Sequence, residues 1–266
     1  MIRIIIIGAA GRMGRLLVKN VISSNDMQLT GAVEHNKNPL LGQDSGLVAG
    51  TTESGIQITS DLRKLISSSD VVIDFSTGTI VNDAQLSVES GLNVIIGTTA
   101  LSDEDKTHLQ GLADNGGKIV FAPNMSIGVN LLFHLVSEVS KTLSSNYEIE
   151  IVEMHHNQKK DAPSGTAVKL AEIAAEARNL DLNKHGCYGR HGITGIRPKN
   201  EIGIHTVRGG DVIGDHTVIF AANGERVELT HKATNRETFA LGALEAVRFL
   251  KNAKSGLYSM QDVLGL

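Results

Sequence analysis

A chain of 266 residues with 41% hydrophobic and 20% charged side chains is long enough for two ordinary domains and apolar enough to give each a core. Its net charge of −4 and the near absence of Lys/Arg clusters argue against the basic face that nucleic-acid binding needs, and its single cysteine excludes an internal disulfide and any multi-cysteine metal centre. Its apolar runs are too short for a bilayer span, no signal-peptide layout opens it, and so the sequence reads as a soluble cytoplasmic protein with a small-molecule partner.

In chain order, the first half alternates short apolar runs with helical spacing, which predicts a parallel α/β sheet. Strands are predicted at Arg3–Ile7, Gln28–Val33, Val71–Phe75, Asn93–Ile96 and Lys118–Phe121, with helices at Arg12–Ile22, Leu62–Ser67, Ile80–Glu89 and Asp103–Ala113. These strands are apolar along their length rather than alternating, as strands covered on both faces must be. After Pro123 the texture changes: a helix at Val129–Leu143 precedes an alternating run, Glu148–Glu153, and a helical pattern through Val168, Leu170, Ala171, Ala174 and Ala177. Runs at Ile202–Val207, Thr217–Ala221 and Arg226–Thr230 follow with short turns such as Asn223-Gly224, predicting a largely antiparallel or mixed sheet. Asp181–Asn200 is expected as a long loop, Arg236–Lys251 as an amphipathic helix, and Ser259–Leu266 as a return to the first domain. The expected architecture is a Rossmann-like doubly wound parallel sheet with a second α+β domain on a mixed sheet, divided 1–126, 127–235 and 236–266.

The strongest local pattern is the apolar run Ile4–Ile7 feeding Gly8, Ala9, Ala10, Gly11, Arg12, Met13 and Gly14 at the start of a helix. A pyrophosphate needs backbone N–H groups aimed at it from a helix N-terminus, and only small residues let the backbone come that close. Glu34 stands at the end of the next strand, where a carboxylate can accept from ribose hydroxyls, so the segment predicts dinucleotide binding. His35 follows, with Lys37 nearby; histidine is a weaker partner for a 2′-phosphate than arginine, so use of both NADH and NADPH is expected. Two further loops, Gly97-Thr98-Thr99 and Ala122-Pro123-Asn124-Met125, leave the carboxyl ends of predicted strands, where ligands bind in open α/β sheets.

A second constellation runs from Glu153 to Ala167 and holds His155, His156, Lys159 and Lys160 ahead of a Pro163-Ser164-Gly165-Thr166 helix start. Ammonium groups and a helix N-terminus in one short stretch predict a carboxylate-binding pocket. Adjacent histidines on a strand end point apart, so a metal site is not expected here. Cys187 lies in a glycine-rich stretch with only His185 as a neighbouring base and reads as an incidental small residue, not a nucleophile.

The run E-M-H-H-N-Q-K-K-D-A-P-S-G-T-A closely resembles the signature of the dihydrodipicolinate reductase family, and G-A-A-G-R-M-G resembles that family's cofactor turn. The segment from Thr206 to His216 and the terminal Ser255-Gly256-Leu257-Tyr258 extend the resemblance along the whole chain. It implies reduction of a cyclic imine dicarboxylate, or of its hydroxylated precursor with loss of water, by NADH or NADPH in lysine and diaminopimelate biosynthesis. Carried over by position, it implies His155 as the acid/base group, Lys159 as proton donor, and His156, Gly165 and Thr166 as substrate-binding residues. It implies cofactor contacts at Gly8 to Met13, Glu34, Gly97 to Thr99 and Ala122 to Met125, and a homotetramer built through the second-domain sheets. His35 departs from relatives that carry arginine there, and Lys160 has no assigned role. Two rival readings are a semialdehyde dehydrogenase of similar layout, which needs a thiol or a differently placed lysine, and an NAD(H)-binding sensor, which predicts a degraded second site.

Overall fold

The computed structural model describes residues 1–98 and 101–266, so Thr99 lies outside the described residues. The chain runs β1 (Ile2–Ile7), α1 (Arg12–Ile22), β2 (Met27–Val33), α2 (Ser45–Val48), β3 (Ile58–Thr59), β4 (Val71–Asp74), α3 (Ile80–Glu89), β5 (Asn93–Ile96), α4 (Asp103–Asp114) and β6 (Lys118–Phe121). It continues with α5 (Ile127–Thr142), β7 (Glu148–His155), α6 (Gly165–Ala177), α7 (Leu182–His185), β8 (Gly186–Tyr188), β9 (Ile202–Arg208), β10 (Gly214–Ala222) and β11 (Glu225–Ala233). It closes with α8 (Glu237–Asn252), β12 (Gly256–Tyr258) and α9 (Met260–Leu264). Two compact units result, Met1–Ile127 with Glu237–Leu266, and Gly128–Arg236.

The first unit is a seven-stranded sheet in the order β12-β6-β5-β4-β1-β2-β3, and every pair in it is parallel. Apolar side chains leave both faces of its central strands. Ile4, Ile6, Ile73 and Ile95 pack against Leu17 and Val21 of α1 and Ala243 and Val247 of α8. On the opposite face Val94, Ile96 and Ile119 meet Ala84 of α3 and Leu109 and Ala113 of α4. This double burial is why the strands read as continuous apolar runs. Strand order reverses at β1, so β1 and β4 flank the switch point, and all parallel strands end on one edge.

The second unit is a five-stranded mixed sheet, β11-β10-β7-β9-β8, antiparallel from β11 to β7 and parallel from β7 to β8. On β7 the buried positions alternate strictly: Ile149, Ile151, Glu153 and His155 point inward. The two isoleucines pack with Leu132 and Val136 of α5 and with Leu170 and Ala174 of α6.

Two expectations are corrected. The helix expected at Leu62–Ser67 is instead two 3₁₀ turns, Leu62–Lys64 and Ile66–Ser68. The hydroxyls of Ser68 and Ser69 both donate to the Leu65 carbonyl, at 2.9 and 3.0 Å, diverting an acceptor that a longer helix would use. The loop expected at Asp181–Asn200 contains α7 and β8. Asp181 caps the helix by accepting from Asn183 N–H at 3.0 Å, and β8 then pairs with β9.

The interior fixes what two helical glycines tolerate. A Cβ at Gly242 of α8 lies 1.8 Å from the Met125 carbonyl oxygen, whereas one at Gly111 of α4 meets nothing within 4 Å. Gly111→Ala should therefore raise unfolding free energy by about 0.5–1 kcal/mol, and Gly242→Ala should lower it by about 2 kcal/mol or more. Urea unfolding of both variants checks this, and equal effects would show that α8 does not pack as described.

Candidate active site

The carboxyl edge of the parallel sheet gathers the first set of predicted residues. After β1, Gly8 takes φ +75°, and the N–H groups of Gly8 and Ala9 donate to the Val33 carbonyl at 2.9 and 3.1 Å, tying the turn to the end of β2. A Cβ at Gly14 would lie 2.0 Å from the Gly8 carbonyl oxygen, so helix and turn pack at backbone distance. Ala9 and Ala10 are buried, and Arg12 is exposed. Among the described residues no side chain caps α1, whose N-cap is Gly11, which leaves its positive dipole end without a side-chain cap. Glu34 accepts from Ala10 N–H at 3.0 Å and from His35 N–H at 3.2 Å, which seats its carboxylate beside the glycine turn. His35 and Lys37 are exposed, and the His35 ring accepts from Lys37 N–H at 3.2 Å.

The other two loops leave the same edge. Gly97 N–H donates to the Asp74 carbonyl at 2.9 Å, and a Cβ at Gly97 would lie 2.2 Å from the Phe75 ring. Thr98 is buried, as are Ala122 and Met125, while Pro123 is exposed and Asn124 accepts from Ser126 N–H at 2.9 Å. Sequence reasoning missed Asp74-Phe75-Ser76, which follows β4 and so lies between the glycine turn after β1 and the Gly97 loop after β5, and placed Phe75 inside the strand. Asp74 ends β4 at the switch point, accepts from Ser76 N–H at 2.7 Å, and leaves Oδ2 buried with no hydrogen-bond partner among the described residues. Burial pushes its carboxyl up from the ordinary carboxylate range, against the Ser76 hydrogen bond. An acidic residue closing an apolar strand was the available signal.

In the second unit, His155 ends β7 and faces inward, 8% exposed. Its Nδ1 lies 2.6 Å from Oε2 of Glu153, a carboxylate with no exposed surface. Arg208 clamps that carboxylate with Nη1 to Oε2 at 2.8 Å and Nη2 to Oε1 at 3.0 Å. Ser164 N–H donates to Oε1 at 3.0 Å, and Thr206 Oγ1 does so at 3.3 Å. Burial alone would raise the Glu153 carboxyl, but the Arg208, His155 and Ser164 hydrogen bonds outweigh it and hold it below the ordinary range. Burial pushes His155 down and outweighs Glu153, so the ring is neutral near pH 7.

Around this pair, Ser164 caps α6 by accepting from Ala167 N–H at 3.2 Å and shares a 3.1 Å hydrogen bond with His216 Nε2. His216 packs edge-on against His155 with ring centroids 5.1 Å apart. Burial and the neighbouring His155 hold His216 down to about 3. Lys159 pairs with Asp161 at 2.9 Å, with 21% of its side chain exposed. His156 accepts from Gln158 N–H at 3.2 Å, and its Nε2 lies 3.5 Å from Arg236 Nη2. Gly165 is exposed at the first turn of α6 with Thr166 beside it, and Lys160 is exposed. The structure thus brings His155, Lys159, the α6 N-terminus and His156 into one connected stretch, and adds Glu153, Arg208, Thr206 and His216, which sequence reasoning missed. The inward phase of β7 was the signal for Glu153. Cys187 donates to the Gly189 carbonyl at 3.4 Å, and burial pushes its thiol up, which suits no nucleophile.

The buried histidines set a pH dependence of stability. A group held neutral in the fold takes up its proton on unfolding, so its contribution is complete above the ordinary histidine pKa of 6.5 and is lost as pH falls toward 3. Stability should fall by about 1.4 kcal/mol per pH unit between pH 6 and 4 from His216 alone. Urea midpoints across that range should show a shallower slope in His216→Gln, and a wild-type stability flat from pH 7 to 5 would contradict the assignment.

Comparison with known proteins identifies the family. The chain matches the family models described as dihydrodipicolinate reductase, N-terminus, over residues 2–125 and dihydrodipicolinate reductase, C-terminus, over residues 128–264. It is 48% identical to a 4-hydroxy-tetrahydrodipicolinate reductase of Hahella chejuensis, covering 100% of both chains. It is 47% identical to the Nitrosomonas europaea enzyme of that name, covering 100% of this chain and 98% of the relative. A dipicolinate-bound dihydrodipicolinate reductase from Paenisporosarcina sp. TG-14 superposes with a TM-score of 0.78 at 27% identity over 98% of each chain. An aspartate semialdehyde dehydrogenase from Vibrio cholerae shares the fold alone, at a TM-score of 0.57 and 11% identity over 94% of this chain and 98% of that one. The chain belongs to the dihydrodipicolinate reductase family.

Proposed function

We propose that the chain is a 4-hydroxy-tetrahydrodipicolinate reductase of lysine and diaminopimelate biosynthesis that uses NADH or NADPH. The observation that carries this reading is the intact second-unit cluster, in which a neutral, carboxylate-anchored His155 and the ammonium of Lys159 flank the capped start of α6. A nucleotide sensor has no use for such a cluster.

The residues of the first unit fit a dinucleotide. The uncapped start of α1 and the close Gly8–Gly14 approach suit a pyrophosphate, and Glu34 is placed for ribose hydroxyls. His35 meets the adenosine end, and the loops at Gly97, Thr98, Ala122, Pro123, Asn124 and Met125, with Thr99 by position, line the nicotinamide end. Bound there, the dinucleotide supplies the hydride. In the second unit, His156, Lys159 and the N–H groups of Gly165 and Thr166 hold the substrate carboxylates and fix the ring's orientation. Reduction of the conjugated imine consumes one proton per hydride; the Lys159 ammonium delivers it to the carbon or nitrogen left electron-rich, and the neutral His155 accepts a proton from solvent and relays it to that site. With the hydroxylated precursor, the hydroxyl leaves as water before that step. The first unit is the dinucleotide-binding domain, and the second binds substrate and assembles a homotetramer in the cytoplasm.

Loss of absorbance at the dihydronicotinamide band, with the freshly made condensation product of pyruvate and aspartate semialdehyde, tests the reading. Lys159→Ala and His155→Ala should lower kcat by about a hundredfold or more with unchanged NADH binding, while Thr166→Ala should mainly raise the substrate KM. Near-normal turnover in both of the first two variants would remove the proposed active site. Glu34→Ala should weaken NADH more than NADPH, and His35→Arg should raise kcat/KM for NADPH about tenfold by adding a permanent cation. An unchanged NADPH/NADH ratio in His35→Arg would place the 2′-phosphate elsewhere.

A further inference from the structure

Glu153 lies outside every role assigned above, yet it is the most heavily engaged carboxylate of the second unit. Its two oxygens face different neighbours. Oε1 faces three donors: Ser164 N–H at 3.0 Å, Arg208 Nη2 at 3.0 Å and Thr206 Oγ1 at 3.3 Å. Oε2 faces Arg208 Nη1 at 2.8 Å and His155 Nδ1 at 2.6 Å. Arg208 is itself held, with Nη2 on the Asp161 carbonyl at 2.6 Å and Nη1 on the Val207 carbonyl at 2.8 Å. A carboxylate so surrounded has one orientation, and a neutral imidazole beside it must present an N–H to it.

We propose that Glu153 is a positioning residue that locks His155 in the Nδ1–H tautomer, making Nε2 the atom that exchanges protons with the bound imine. The Nε2 side is kept open by Gly214, because a Cβ there would lie 3.0 Å from Nε2. Arg208 acts one step further out: it orients the carboxylate and, through Asp161, ties it to the strap that carries Lys159. This inference rests on the reductase reading for its kinetic consequence only; the tautomer is a property of the free protein.

Glu153→Gln separates the role from packing, because the amide keeps the shape. Its nitrogen is opposed by three donors at the Oε1 position and by one, Arg208 Nη1, at the Oε2 position, so it takes the Oε2 position, where Nη1 keeps its bond to the Val207 carbonyl and the amide donates to His155 Nδ1. The variant therefore forces the opposite tautomer, with hydrogen on Nε2.

The test is nitrogen NMR on selectively ¹⁵N-histidine-labelled full-length protein, with the His155 signals assigned by their loss in His155→Gln. Wild type should show His155 protonated at Nδ1 and bare at Nε2, and Glu153→Gln should show the reverse. In kinetics, Glu153→Gln should lower kcat about a hundredfold with NADH KM within twofold of wild type, and Glu153→Asp should recover part of that loss. A merely structural role would lower the melting temperature of Glu153→Gln but leave its tautomer and turnover unchanged. A wild-type His155 protonated at Nε2, or a folded Glu153→Gln with kcat within threefold of wild type, overturns the proposal. If Glu153→Gln does not fold, the wild-type spectrum still decides it. A protein with the predicted tautomer but no turnover of the imine would sink the reductase reading and leave this one standing.

Discussion

A carboxylate with no exposed surface stays ionised only where donors replace the water it has lost, and the second unit is arranged around that requirement at Glu153. Its donors come from three places: its own strand through His155, β9 through Thr206 and Arg208, and Ser164, the residue before α6. Two of these residues are pinned by further contacts, Ser164 by the α6 cap and by His216, Arg208 by two carbonyls. Such a pair need not be worth much stability in itself, since hydrophobic replacements for buried ion pairs are often neutral. Removing one member is costly, because the others are left charged or unpaired in the interior. What the arrangement provides is orientation of His155.

Strand register delivers the parts. On β7, Glu153 pairs with Thr206 of β9 and His216 of β10, and His155 pairs with Arg208. A slip of one residue on either side would turn Thr206, Arg208 or His216 to the other face of the sheet. The apolar residues Ile149 and Ile151 earlier on the same strand enforce the register by their burial, so core packing at one end of β7 sets polar geometry at the other.

Much of this was legible in the sequence. The β1–glycine turn–α1 segment, the position of Glu34 and the half-buried alternation of β7 all express periodicities a few residues long. The remainder depends on partners far apart in the chain. Arg208 meets Glu153 across 55 residues, and His216 meets Ser164 across 52. No local pattern marks which buried polar residue will find which. The loop expected at 181–200 hid structure for the same reason. Arg190 and Arg197 fold it onto Glu150, at 2.7 and 2.8 Å, and that carboxyl sits at about 2 because the two guanidinium groups and His205 outweigh its burial. Asp74 differs: its strand was read correctly, but a strand boundary one residue too long concealed a buried carboxyl at the switch point.

The two units build their candidate sites in opposite ways, and the contrast follows from their cores. In the parallel sheet, strands covered on both faces leave only the carboxyl edge polar, so the edge offers backbone N–H groups and an uncapped helix start, with Glu34 as its anchored side chain. Backbone donors are fixed by the fold and cannot titrate. In the mixed sheet, the face toward α5 and α6 turns polar at the end of β7, and side chains do the work: α6 begins with a hydroxyl-capped turn beside a lysine and two histidines. Those groups can accept and release protons, which the chemistry of imine reduction requires and dinucleotide binding does not. A titratable group is useful only if its orientation and tautomer are fixed, and this is why the heavier investment in buried hydrogen bonds lies in the second unit, behind His155.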